Sequence, residues 1–163
     1  MKVSGVVLDP QSRNPIVVLR DLPERRAIMI WIGPPEANSI MLAIESIKLA
    51  RPATHDLFVN TMAAFGAQVE SVTINNMEES TFFAHLKIIT PKGTTEDIDS
   101  RPSDAIAIAL RIGCPIYVAE EVVLSSSIPI NPVAEEKDAK NFKSFVQNLK
   151  PSDFVGKSRE GEN

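Results

Sequence analysis

One cysteine and two histidines in 163 residues remove several chemistries at the outset. A single thiol forms no intrachain disulfide and builds no thiolate zinc site, which fits a reducing compartment. Cys114, set in the apolar "IGCPIYV", reads as a small buried thiol. Seven glycines leave little chain for a phosphate-cradling loop. Neither G-x-x-x-x-G-K-[ST], G-x-G-x-x-G nor H-E-x-x-H occurs. No apolar run approaches the roughly 18 residues that a membrane span needs. The opening "MKVSGVVLDP" alternates like a strand and is broken too soon for a signal peptide. Cytoplasm is the expected location. Positive charge is also short: 17 Lys and Arg face 21 Asp and Glu, for a net charge of -4. That argues against a protein coating nucleic acid through clustered cations, but not against one holding it briefly through a few arginines or a metal.

What is present suits an ordinary globular chain, with 44% hydrophobic residues and a mean hydropathy of -0.01. The length suggests one domain plus a tail. "KVSGVVL", "PIVVLR" and "AIMIWIG" read as strands, the last apolar on both faces and hence central. After Gly33 the period changes. Ala37, Ile40, Met41, Ile44 and Ile47 predict an amphipathic helix across "PPEANSIMLAIESIKLA", with prolines at its start. A second helix is predicted over "ATHDLFVNTMAAFGA", with Thr54 as N-cap, a Phe58, Met62 and Phe65 stripe, and Gly66 as its stop. An antiparallel section follows, with Val72 and Ile74 on one strand and Phe82, Ala84, Leu86 and Ile88 sharing a face of the next. "TTEDID", a nearly all-apolar third helix at about 102–112 and a short strand "PIYVA" complete the order. The expected fold is a single α+β domain over 1–134, with a mostly antiparallel or mixed sheet and three main helices. A helix at 135–150 and a mobile tail at 151–163 are expected beyond it.

Two helix starts carry the same punctuation: "RPATHDLF" at 51–58 and "SRPSDAIAIAL" at 100–110. Proline holds the preceding residue extended and suits a first helical turn, and an early Asp suits the dipole. Capping alone therefore explains Pro102 and Asp104. It does not explain Arg51 and Arg101, because a cation faces the positive end of the dipole unless an anion partners it. Asp97 and Asp99 alternate onto one side of a strand leading into Arg101 and Asp104, and His55 sits beside Asp56 at the edge of the core. Histidine suits a proton carrier, though one at a helix start is more often a capping or packing residue. His85 reads as sheet packing. The oxygen-rich set Glu36, Asp56, Asp99 and Asp104 suits Mg2+ or Mn2+, and interspersed arginines suit phosphate.

Taken together, "WIGPPEA", "RPATHDL", "STFFAHL", "DSRPSDAIAIALRIG" and "PIYVAEEV" resemble the bifunctional nuclease domain over about residues 3–125. The resemblance implies an α+β domain that degrades both RNA and DNA. The family's distinctive polar positions correspond to Glu36, Arg51, Thr54, His55, Asp56, Asp99, Arg101, Ser103 and Asp104. Ser100 stands where a small Ala is common, and the UVR-type helical motif of longer relatives is not expected within these 163 residues. The expectation is a site where helix starts near 34, 52 and 102 converge. There Arg51, Arg101 and Ser103 hold phosphate, Asp99 and Asp104 (with Asp56) bind a divalent cation, and His55 moves the proton. The alternative is a non-catalytic module binding an anion or a partner, with the same charges closed into an internal Arg–Asp network. A homodimer is expected in either case, without a located interface.

Overall fold

The computed structural model describes residues 1–130; the expected helix at 135–150 and the tail at 151–163 lie outside them. Two four-stranded sheets organise the described residues. The first is antiparallel, with β1 (Lys2–Leu8), β2 (Pro15–Arg20), β3 (Arg26–Trp31) and β8 (Ser127–Pro129) in the spatial order β1-β2-β3-β8. The second contains β4 (Gln68–Glu78), β5 (Thr81–Ile89), β6 (Thr95–Ser100) and β7 (Ile116–Val118), ordered β6-β5-β4-β7. Only its β4–β7 pair is parallel. Four helices join them: α1 (Pro34–Ile44), α2 (Thr54–Ala64), α3 (Pro102–Ile112) and the short α4 (Glu120–Ser126). The α+β class therefore holds. Neither α4 nor β8 was foreseen, because each is too short to show a period.

α3 is the pivot. Residues Pro102, Ser103 and Ala105–Ala109 are buried, and the helix packs on β4 and β5 and against α1 and α2. Its alternating Ala and Ile residues explain this: small positions let neighbours approach while Ile106 and Ile108 fill the gaps. Val72, Ile74, Ala84 and Leu86 meet it from the second sheet; Val17, Leu19, Ile28 and Ile40 complete the core from the first sheet and α1. As expected, β3 is an inner strand with Ala27, Ile28 and Ile30 buried. Trp31 departs from that pattern and stands 55% exposed at its end.

Two helix boundaries differ from the sequence reading. α1 stops at Ile44 rather than running past Ile47. Ser46 turns left-handed, at φ 54°, and the Ser46 and Ile47 N–H groups bond back to Ala43 and Leu42. That Schellman arrangement is normally announced by glycine, so serine hid it. α2 is capped by Ala53, with Thr54 its first residue. Gly66 turns left-handed and stops the helix as expected; Phe58 and Met62 reach the core, but Phe65, the C-cap residue, is 75% exposed.

Candidate functional site

The site is assembled from the first turns of α1, α2 and α3. At α1, Gly33 occupies the capping position in an extended conformation, and Pro34 and Pro35 fix the turn that places Glu36 third. A Cβ on Gly33 would overlap Glu36 Oε2, so the missing side chain is what lets that carboxylate fold back over the helix start. At α3, Arg101 leaves β6 extended before Pro102, as the proline requires. Its guanidinium then turns toward two carboxylates. Nε donates to Asp104 Oδ2 at 2.7 Å and Nη2 to Asp104 Oδ1 at 3.1 Å, while Nη1 donates to Glu36 Oε1 at 3.0 Å. The cation at the positive end of a dipole is thus neutralised by the third residue of its own helix. The fork is bidentate, the geometry arginine is built for.

Asp104 continues the chain inward. Its Oδ1 lies 3.0 Å from His55 Nε2, and His55 Nδ1 lies 2.8 Å from Ser39 Oγ. An ionised Asp104 can only accept, which puts the His55 proton on Nε2 and has the Ser39 hydroxyl donate to Nδ1. Burial by itself pushes the Asp104 carboxyl upward. The hydrogen bonds from Arg101 and His55, with the charge on Arg101, outweigh it and hold the group below its ordinary value. The hydrogen bonds that Asp104 accepts in turn raise Arg101 above its ordinary value. The network runs from a guanidinium whose side chain is 66% exposed to a buried serine.

Asp56 belongs to a different arrangement. It accepts the Ala53 N–H at 2.9 Å, closing the first turn of α2, and Arg111 Nε at 2.6 Å. Arg111 sits in the last turn of α3 and also donates to the Ser39 and Ala107 carbonyls. The hydrogen bonds from Arg111 and Ala53 depress the Asp56 carboxyl. The α2 start therefore lies along the flank of α3, and its carboxylate is fastened to the far end of that helix. Ser39 and Arg111 were missed in the sequence. Ser39 is a polar residue between core-facing Ala37 and Ile40, and Arg111 is a lone cation one helical repeat of seven after Asp104.

Beside Glu36 and Arg101 opens a cleft of about 400 Å³. One wall is the end of β3 with Trp31, Ile32 and Gly33; the other is the β4–β5 hairpin with Ser80, Thr81 and Phe82. Ser103 lines it at the start of α3. The remaining expected residues fall elsewhere. Asp99 is exposed on β6, in register with His85 of β5, and takes no hydrogen bond from the network. Arg51 is exposed ahead of α2 and makes no hydrogen bond or ion pair among the described residues. Thr54 is likewise exposed. His85 packs on the sheet, 3.9 Å from Asp97.

A divalent cation at Asp99 and Asp104 does not fit this arrangement. Among the described residues no three His, Cys, Asp or Glu side chains are grouped to hold a metal. Both oxygens of Asp104 are already engaged by Arg101, one of them by His55 as well. No helix among them is long and apolar enough to cross a membrane.

An uncharacterized protein of Mycobacterium tuberculosis is 33% identical over 162 residues, covering 94% of this chain and 96% of its own. Bifunctional nuclease 2 of Oryza sativa is 33% identical over 124 residues, covering 73% of this chain and 38% of the rice protein. Bifunctional nuclease 1 of Arabidopsis thaliana is 26% identical over 130 residues, 77% of this chain and 40% of its own. Residues 17–131, which include every member of the network, match the bifunctional nuclease domain, and the chain belongs to that family.

Proposed function

We propose that the chain hydrolyses phosphodiester bonds of RNA and DNA at the cleft between Trp31 and the β4–β5 hairpin. The observation that carries the reading is the Arg101–Glu36 pair at its edge. A cation and a carboxylate face one hollow, joined by an ion pair that substrate can replace. Such a pair, with Arg101 largely in water, contributes only about 0–1 kcal/mol. A phosphate oxygen takes Nη1 from Glu36, and the freed carboxylate accepts a proton from an attacking water. The water oxygen bonds to phosphorus, the ester P–O bond breaks, and the leaving oxygen takes a proton from solvent. Arg101 balances the charge that gathers on the phosphoryl oxygens. Asp104, His55 and Ser39 are positioning residues that hold the guanidinium plane; both His55 ring nitrogens face inward, so its part is played through Asp104.

The plant relatives carry the name bifunctional nuclease, which supports this substrate class. In the same proposal the protein works in the cytoplasm as a homodimer. Leu57 on α2 and Phe65 at its C-cap, exposed by 60% and 75%, favour such pairing, and light scattering on the full chain tests it. Cleavage is tested on RNA and single-stranded DNA, with and without chelator, for the wild type, Glu36→Gln and Arg101→Gln. Loss of a general base predicts a rate fall on the order of 10²-fold or more. Equal rates in wild type and both variants would mean a contaminant and end the proposal. One observation favours a second reading, a non-catalytic module that binds an anion or partner: every charged member of the network already has a partner. That module would bind oligonucleotide without turnover.

A further inference from the structure

The cleft holds features that hydrolysis does not use. Trp31 exposes over half its surface on one wall, where a large aromatic gains nothing from the core. Phe82 faces it from the other wall and is braced from behind by the core. Its position is fixed by a two-residue hairpin loop, since Glu78 pairs with Thr81. Glu79 and Ser80 are both left-handed there, at φ 47° and 65°, as the tight type I′ turn requires. Between the walls, Ser103 is 7% exposed and lines the cleft, and its hydroxyl makes no hydrogen bond with another described residue.

We propose that this cleft seats one unpaired nucleotide, its base against Trp31 and Phe82 and its phosphate on Arg101 and the Ser103 hydroxyl. What Arg101 holds rests on the phosphodiester reading; the aromatic seat does not depend on cleavage. Every base offers a π-face, so two aromatic walls recognise bases without reading sequence. A base inside a duplex has both faces covered by its neighbours and cannot enter. The 400 Å³ hollow lies in the roughly 300–1,000 Å³ range of small-ligand clefts, too small for a helix of nucleic acid. The site therefore selects single strands and looped-out bases. With a single positive charge at the cleft and a net charge of -4, stacking supplies the affinity that clustered cations supply elsewhere.

Trp31 is the one tryptophan of the chain, so fluorescence of the whole protein excited selectively at tryptophan reports on the cleft alone. It is titrated with a nucleoside 5′-monophosphate, ribose 5-phosphate, and a cleavage-resistant phosphorothioate oligonucleotide presented single-stranded or as a duplex. The nucleotide and the single strand should quench saturably, while ribose 5-phosphate binds at least about 5-fold more weakly and the duplex does not respond. Phe82→Leu should weaken the single strand roughly 5- to 150-fold, the loss expected for one stacking partner. Trp31→Ala, read by anisotropy of a labelled strand, should do the same. Trp31 is exposed, so that variant also guards against misfolding from the half-buried Phe82. Equal binding of ribose 5-phosphate and nucleotide would reduce the site to an anion hole, and failure of the single strand to quench would remove the seat. Cleavage without quenching sinks the seat alone; quenching by a protein that never cleaves sinks the nuclease reading alone.

Discussion

Replacing Asp56 with Ala separates architecture from chemistry at this site. The substitution removes an acceptor for the Ala53 N–H at the start of α2 and leaves Arg111, whose side chain is only 10% exposed, without its carboxylate. Loss of a cap costs about 1 kcal/mol, and loss of a charge-assisted bond about 1.5–3 kcal/mol. Asp56 is itself 36% exposed, so solvent screening trims the second contribution. A total of about 2–3 kcal/mol follows, which for a chain of this size lowers the melting temperature by roughly 6–10 °C. Arg111→Met should cost less, because the half-exposed Asp56 can take water instead. The double variant should be more stable than Asp56→Ala alone, since it no longer strands a buried charge. Urea denaturation of the four proteins closes the cycle, with an unchanged m-value as the check on two-state behaviour. Additive costs, or an Asp56→Ala variant within about 0.5 kcal/mol of wild type, would refute the account. So would a fully stable Asp56→Ala protein that has lost cleavage, for then Asp56 would belong to the chemistry.

The remaining predictions concern charge and space at the same network. The Asp56 and Asp104 carboxyls are held below their ordinary values, by Arg111 for the first and by Arg101 with His55, against burial, for the second. Their stabilisation is therefore complete above about pH 4 and is lost as pH falls through the folded-state values. Thermal melts from pH 6 downward should show the drop, and Asp56→Asn should shrink it. Gly33→Ala keeps an extended backbone that alanine tolerates but pushes Glu36 off Arg101. Cleavage should fall with a melting temperature within a few degrees of wild type; unchanged cleavage would remove Glu36 from the reaction. Millimolar Mg2+ or Mn2+ should leave the melting temperature unmoved, because an ion bound to the folded state raises it. A clear rise would mean that Asp104 leaves Arg101 to take the metal.

How far the fold was legible follows from which signals are local. The strand faces of β4 and β5 could be read because alternation is a two-residue signal, and α3 because an apolar helix with Pro at its start and Gly113 at its end is punctuated in full. α1 could not be bounded. Its Schellman end is made by Ser46, whose left-handed backbone is a tertiary outcome rather than a residue preference. The division of eight strands into two sheets among the described residues was equally hidden, since the pairings of β3 with β8 and of β4 with β7 join distant stretches of chain.

For the site, the sequence showed an anomaly without its resolution. Arg101 before a helix start demanded an anion, and the demand was correct in kind; the anions are Asp104 and Glu36. Asp56 follows an Arg-Pro pair in the same way, yet its partner is not the arginine of its own segment. Arg51 stays in solvent, and Arg111, 55 positions along the chain, reaches Asp56 instead. The two echoing segments therefore do unlike things, for a geometric reason. α3 is buried along most of its length, so its first turn is pinned beside α1 and its Arg101 is close to Glu36. α2 buries no residue fully and lies on the flank of α3, where the cation within reach is the one at the other end of that helix. Which arginine meets which carboxylate is decided by helix packing, and only the arginine left facing open space can exchange its partner for a phosphate.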